Sequence, residues 1–140
     1  MVVLNDLLNG PRGQFIKFVL AGGTAAIANF GSRILLSNFM EYVPAIVLAY
    51  CVGMATAFIL NRMFVFSNPI NSTGNQVFWF VAVNLFAVLQ TLLISVGLAK
   101  YFFPMIGWTW EPELVAHGIG VVVPVFTSFI GHKLLTFRSV

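Results

Sequence analysis

Val77 to Phe103 reads VFWFVAVNLFAVLQTLLISVGLAKYFF, an apolar run with a single charge, Lys100, close to its end. A helix rises about 1.5 Å per residue, so roughly 20 such residues cross a hydrocarbon core of about 30 Å. Within the bilayer the backbone must satisfy its own hydrogen bonds, which leaves helices or a closed barrel. Barrel strands alternate apolar and polar residues; this run is continuous, so it reads as a transmembrane helix.

Three more stretches have the same character: about Phe15 to Phe39, Val43 to Phe66 and Leu114 to Phe137. Composition supports the same solvent for all of them. Hydrophobic residues make up 59% of the 140-residue chain and charged residues only 8%. A soluble domain carries about 25% charged residues. The expectation is an all-α membrane protein, one four-helix transmembrane domain over residues 1–140. The segment 1–14, with Asp6 ahead of Arg12 and no small-residue cleavage site, reads as the lead into a retained first span.

Polar, turn-rich residues separate the spans. Ser67 to Asn75 is a loop between two hairpins, and Glu41-Tyr42-Val43-Pro44 marks a turn within the first. Pro104 and the Gly107 to Pro112 segment mark the turn of the second, where Tyr101, Trp108 and Trp110 suit an interfacial aromatic belt. Four spans put both termini on one side with Arg12, Lys17, Arg62, Lys133 and Arg138. The other side holds only Arg33 and Lys100, with Glu41, Glu111 and Glu113. The positive-inside bias then predicts cytoplasmic N- and C-termini in a multi-pass inner-membrane protein.

Sliding the chain by 71 residues lays Ala57 to Phe66 over Ser128 to Phe137. Small or polar residues recur every fourth position in both copies: Ala45, Ala49, Gly53, Ala57, Asn61, and Ala116, Gly120, Pro124, Ser128, His132. Residues four apart share a helix face, and small ones there let membrane helices approach closely. Each stripe ends in a polar residue, then a cation, then a Phe four positions beyond the cation. Phe18-Val19 and Phe80-Val81 match more weakly. These features predict two hairpins related as a parallel repeat.

Several classes of function are excluded or disfavoured. No basic stripe interleaved with aromatics points to nucleic acid. The lone Cys51 allows no intrachain disulfide and no cysteine metal site, and His117 has no second ligand at metal spacing. There is no phosphate-binding loop for ATP. All four acids lie at a terminus or in a connection, so acid–base catalysis has little to work with. The expectation is a protein that is not an enzyme and needs neither cofactor nor metal.

The opening Phe15-Ile16-Lys17-Phe18-Val19-Leu20-Ala21-Gly22-Gly23, the Phe58 to Phe66 ending and its echo at Phe129 to Phe137 together resemble the GtrA-like family over nearly the whole chain. Departures from its usual pattern are Ala25-Ala26 in place of an Asn-Thr pair and His132 in place of Asn. The resemblance implies a role in cell-envelope polysaccharide glycosylation at the bacterial cytoplasmic membrane. Its members move polyprenyl-phosphate-linked sugars between leaflets, or serve as membrane partners of polyprenyl-phosphate glycosyltransferases.

Against that background the polar residues within the spans become candidates. Arg62 and Lys133 stand at equivalent ends of spans two and four, and with Lys17 they could hold a lipid phosphate; snorkelling anchors would look the same. Arg33 follows Asn29 by four residues near the far end of span one, where it could receive a phosphate or pair with Glu41. Asn29, Asn61, Asn84, Gln90 and His132 could line a polar path or contact a sugar, and Asn84, Gln90 and Thr91 could equally bridge helices. Pro124, near Gly118 and Gly120, should bend span four.

The expected partners are a polyprenyl-phosphate-linked sugar, membrane lipid, a glycosyltransferase and a second copy of the chain, since four helices are few for an enclosed path. Flipping of the lipid-linked sugar is the first reading and a non-transporting glycosyltransferase scaffold the second. A proton-coupled drug exporter ranks last, for want of a buried acid.

Overall fold

The computed structural model describes residues 10–66 and 68–139. The reading of the extreme N-terminus through Asp6, and Ser67 at the head of the central loop, lie outside the described residues. Among the described residues the chain is all helical. Four helices are long and apolar enough to cross a membrane, and the mean hydropathy of their apolar windows runs from 1.3 to 2.2.

Helix α1 spans Pro11–Leu36 and opens on Pro11, whose missing N–H costs nothing in a first turn. It therefore begins earlier than the expected start at Phe15. It also stops before Phe39, because Ser37 to Met40 form the turn, bonded back to Arg33, Leu35 and Leu36. Helix α2, Tyr42–Leu60, starts directly after Glu41. The expected turn at Glu41 to Pro44 thus moves upstream, and Pro44 sits within the first helical turn, where it displaces no hydrogen bond.

Helix α3, Thr73–Gly97, is capped by Ser72, whose hydroxyl accepts from the Asn75 N–H at 3.4 Å. Thr73, Gly74 and Asn75 therefore belong to the helix rather than the loop. The span runs on through Leu98–Phe102 and Phe103–Met105, so Pro104 continues it. The chain reverses at Gly107, whose φ of 71° suits a residue without Cβ. Helix α4, Pro112–Gly131, begins with Pro112 behind a left-handed Glu111 (φ 38°) and passes unbroken through Pro124.

The chain divides into two compact units, residues 1–70 with 139–140, and residues 71–138. In the first, α1 packs on α2; in the second, α3 packs on α4. The small-residue stripes form both seams: Ala45 and Ala49 have no exposed surface, nor has Ala116, and Gly53, Gly120 and Pro124 are buried. A Cβ on Gly53 would lie 2.8 Å from Asn29 Cβ, and one on Gly120 would meet the Ser95 hydroxyl and, at 2.9 Å, the Thr91 carbonyl. Close helix approach at these points thus depends on glycine. Large apolar side chains such as Leu20, Ile27, Leu85 and Leu114 point outward and are exposed, as lipid contact requires.

Candidate functional site

The shared polar-cation-x-x-x-Phe ending has a common geometry in the two units. After α2 the chain widens into a π-helical turn, Asn61–Val65, closed by the Phe66 N–H donating to the Asn61 carbonyl at 2.8 Å. After α4 it does the same over His132–Thr136, closed by Phe137 donating to His132 at 2.8 Å. The first residue of the motif is the acceptor and the Phe is the donor. Single π turns of this kind occur frequently at functional sites.

Each turn buries its polar residue and exposes its cation. Asn61 and His132 are each only 2% exposed, whereas Arg62 and Lys133 are exposed. Asn61 Nδ2 donates to the Ala57 carbonyl at 2.7 Å, and its Oδ1 is buried without a partner. His132 stacks on Phe80 with ring centroids 4.7 Å apart, and its Nδ1 lies 3.0 Å from Thr136 Oγ1, bonded in the direction that the ring tautomer sets. Lys133 Nζ stands 5.9 Å from the Phe129 ring centroid.

Side chains distant in sequence hold the turns in place. Gln14 Nε2 donates to the Val65 carbonyl at 3.1 Å. Asn71 Nδ2 donates to the Leu135 carbonyl at 2.7 Å and the Thr136 carbonyl at 3.3 Å, and the Asn71 carbonyl accepts from Gln76 Nε2 at 2.7 Å. The end of a helix leaves carbonyls unsatisfied, so these donors replace bonds that the backbone cannot make. Sequence reasoning passed over Gln14, Asn71 and Gln76. One signal was present: Gln14 precedes Phe18 by four residues, as Gln76 precedes Phe80.

The remaining candidates fall into separate places. Lys17, half-buried, lines an open groove of about 230 Å³ in the first unit with Leu20, Ala21, Thr24, Leu60 and Phe64. Arg62 does not line that groove; two residues from both Leu60 and Phe64, it faces another side of the helix. Asn29 packs half-buried against Gly53, and one turn on the Arg33 guanidinium carbon lies 5.5 Å from the Phe30 ring centroid. Asn84 Nδ2 donates to the Phe80 carbonyl of its own helix at 2.8 Å. Gln90 is a helix bridge: its Oε1 accepts from Thr127 Oγ1 of α4 at 2.6 Å.

Among the described residues no group of three or more His, Cys, Asp or Glu comes together as a metal site. The arrangement offers cations at exposed helix ends and uncharged polar groups between helices.

Comparison with curated proteins and with solved structures returned no match. The family model described as GtrA/DPMS, transmembrane domain, matches residues 17–137, a stretch that takes in all four spans and both π-helical turns. This multi-pass membrane protein therefore belongs to the GtrA/DPMS transmembrane family, whose place is in glycosylation-related lipid-sugar processes.

Proposed function

We propose that the protein flips a polyprenyl-phosphate-linked sugar across the bacterial cytoplasmic membrane, supplying cell-envelope glycosylation. The observation that carries this reading is the pair of equivalent π-helical turns. Each presents an exposed cation, Arg62 or Lys133, beside a buried polar residue, Asn61 or His132. A lipid phosphate sits at the depth of such helix ends, and a guanidinium can hold it bidentately. With both termini cytoplasmic, these cations meet the substrate where it is made, Lys17 assists, and Arg33 receives the phosphate at the far leaflet. The bond-making belongs to membrane glycosyltransferases, and the protein works as a dimer without a cofactor.

The test is reconstitution in liposomes with a fluorescent polyprenyl-phosphate sugar, following its loss to an outer quencher. Wild-type protein should accelerate movement. Arg62→Ala should slow it about tenfold, the scale expected for losing one charge-assisted hydrogen bond. No movement by folded, oriented protein would overturn the proposal in favour of a glycosyltransferase scaffold.

A further inference from the structure

Helices α3 and α4 of the second unit border an open groove of about 370 Å³ whose polar lining is Asn84, Thr91, Ser95 and His117. Asn84, Thr91 and Ser95 fall at i, i+7 and i+11 on α3, one face that extends roughly 16 Å along the helix. The walls between them are apolar, through Ala87, Val88 and Leu92. A mostly apolar groove with a few placed polar groups is the usual form of a small-molecule site, and the volume lies within the roughly 300–1,000 Å³ of such sites.

The polar groups that line the groove are left largely unbonded by the chain. In the first unit the Ser and Thr hydroxyls on and beside the spans bond to their own helix: Thr24 donates to the Leu20 carbonyl at 2.9 Å, Thr56 to Val52 at 2.8 Å and Ser37 to Arg33 at 2.8 Å. Ser95 Oγ has no partner, but it is buried in the α3–α4 seam against Gly120 and does not open on the groove. Among the described residues Thr91 Oγ1 and Asn84 Oδ1 also lack one, although Asn84 Nδ2 is bonded to its own helix. Unused hydrogen-bonding groups at membrane depth are costly, so the two that open on the groove, Asn84 Oδ1 and Thr91 Oγ1, call for a ligand that satisfies them.

The chemistry of these groups selects the ligand. No acid and no Lys or Arg lines the groove, which leaves His117 as its one titratable group. A phosphate offers acceptors only and would leave Asn84 Oδ1 facing another oxygen. Hydroxyl groups both donate and accept, and Asn84 Oδ1, Thr91 Oγ1 and the His117 ring match them. We propose that this groove binds the hydroxyls of an uncharged glycosyl head group while cations hold the phosphate elsewhere. The inference rests on the translocation reading above and assigns it a sugar site.

The experiment measures binding of two probes, polyprenyl phosphate and polyprenyl phosphoryl glucose, to the full chain in lipid nanodiscs. Wild-type protein should prefer the glycosylated probe by about tenfold. Thr91→Val and Asn84→Leu, singly and together, should erase that preference and leave binding of bare polyprenyl phosphate unchanged. The single variants keep the test alive if the double variant does not fold. Arg62→Ala should weaken both probes alike.

A preference that persists in the variants would overturn the sugar site, as would a wild type that binds both probes equally; the translocation reading would survive either result. A change in dimer content instead of the probe ratio would assign the groove to a second copy of the chain and likewise overturn it. Failure of wild type to bind either probe would overturn the translocation reading itself.

Discussion

The ring of Phe18 meets the ring of Phe66 edge-on, their centroids 6.3 Å apart at an interplanar angle of 64°. In the second unit Phe80 meets Phe137 at 6.4 Å and 62°. The Phe that closes each π turn through its N–H therefore also anchors the turn, through its ring, to the start of the neighbouring span. Backbone and side chain of one residue together fix the direction in which the preceding cation leaves the helix.

Truncating that anchor tests its weight. Phe66 and Phe137 are 2% and 1% exposed. Phe66→Ala and Phe137→Ala should each destabilise the protein by less than the roughly 3–5 kcal/mol of a soluble core. Lipid tails are as apolar as the lost ring, so the loss is one of packing contacts rather than of burial from water. Unfolding by denaturing detergent measures the difference, and an unchanged midpoint for both variants would contradict the anchor.

The glycine contacts make a second, sharper prediction. Gly53→Ala and Gly120→Ala should each cost about 1–3 kcal/mol, because the added methyl group drives the paired helices apart. Gly22→Ala supplies the control, since a Cβ there meets nothing within 4 Å. On a helix interior alanine is favoured over glycine by about 1 kcal/mol, so this variant should be neutral or stabilising. The same detergent titration separates the three.

Thr127 Oγ1 donates to Gln90 Oε1 at 2.6 Å and so bridges α3 and α4 through two side chains. A double-mutant cycle with Gln90→Met and Thr127→Val should give a coupling near the ~0.6 kcal/mol average for membrane helix bonds and below about 1.7 kcal/mol. Transport of the lipid-linked sugar should change little. A transport loss larger than the stability loss would make Gln90 a substrate contact instead of a strut.

Asn71 should matter more than its loop position suggests. Asn71→Ala removes the donor to two carbonyls at the end of the second π turn and should cost about 1–2 kcal/mol. Gln14→Ala should cost somewhat less in the first unit, where a single bond to Val65 is lost. Faster amide exchange confined to 132–137 in the first variant and to 61–66 in the second would locate the effect. Uniform exchange across the chain would contradict a local role.

The number of spans and their helical character were legible in the sequence, because the hydrocarbon core imposes a length and an apolarity that each segment must meet on its own. The stripe from Ala45 to Asn61 and that from Ala116 to His132 were legible for a related reason: a close helix seam demands small residues at a fixed spacing. The polar-cation-x-x-x-Phe motif was visible as a pattern, and membership of the GtrA/DPMS family agrees with it.

What that pattern does was decided only in three dimensions. Whether Phe66 donates to Asn61 or one residue later is a choice of hydrogen-bond register, and one residue of register leaves no mark on composition or hydropathy. Pro44 and Pro104 read as turns, yet both lie within helical segments: Pro44 in the first turn of α2, where proline costs little, and Pro104 at the end of the third span. Gln14, Asn71 and the partner of Gln90 escaped because each acts on a residue distant in the chain, across a contact that exists only once the helices have packed. Lipid constrains each segment separately, so the sequence alone determined what crosses the membrane; the polar bonds between segments, and with them the direction of each cation, belong to the tertiary structure.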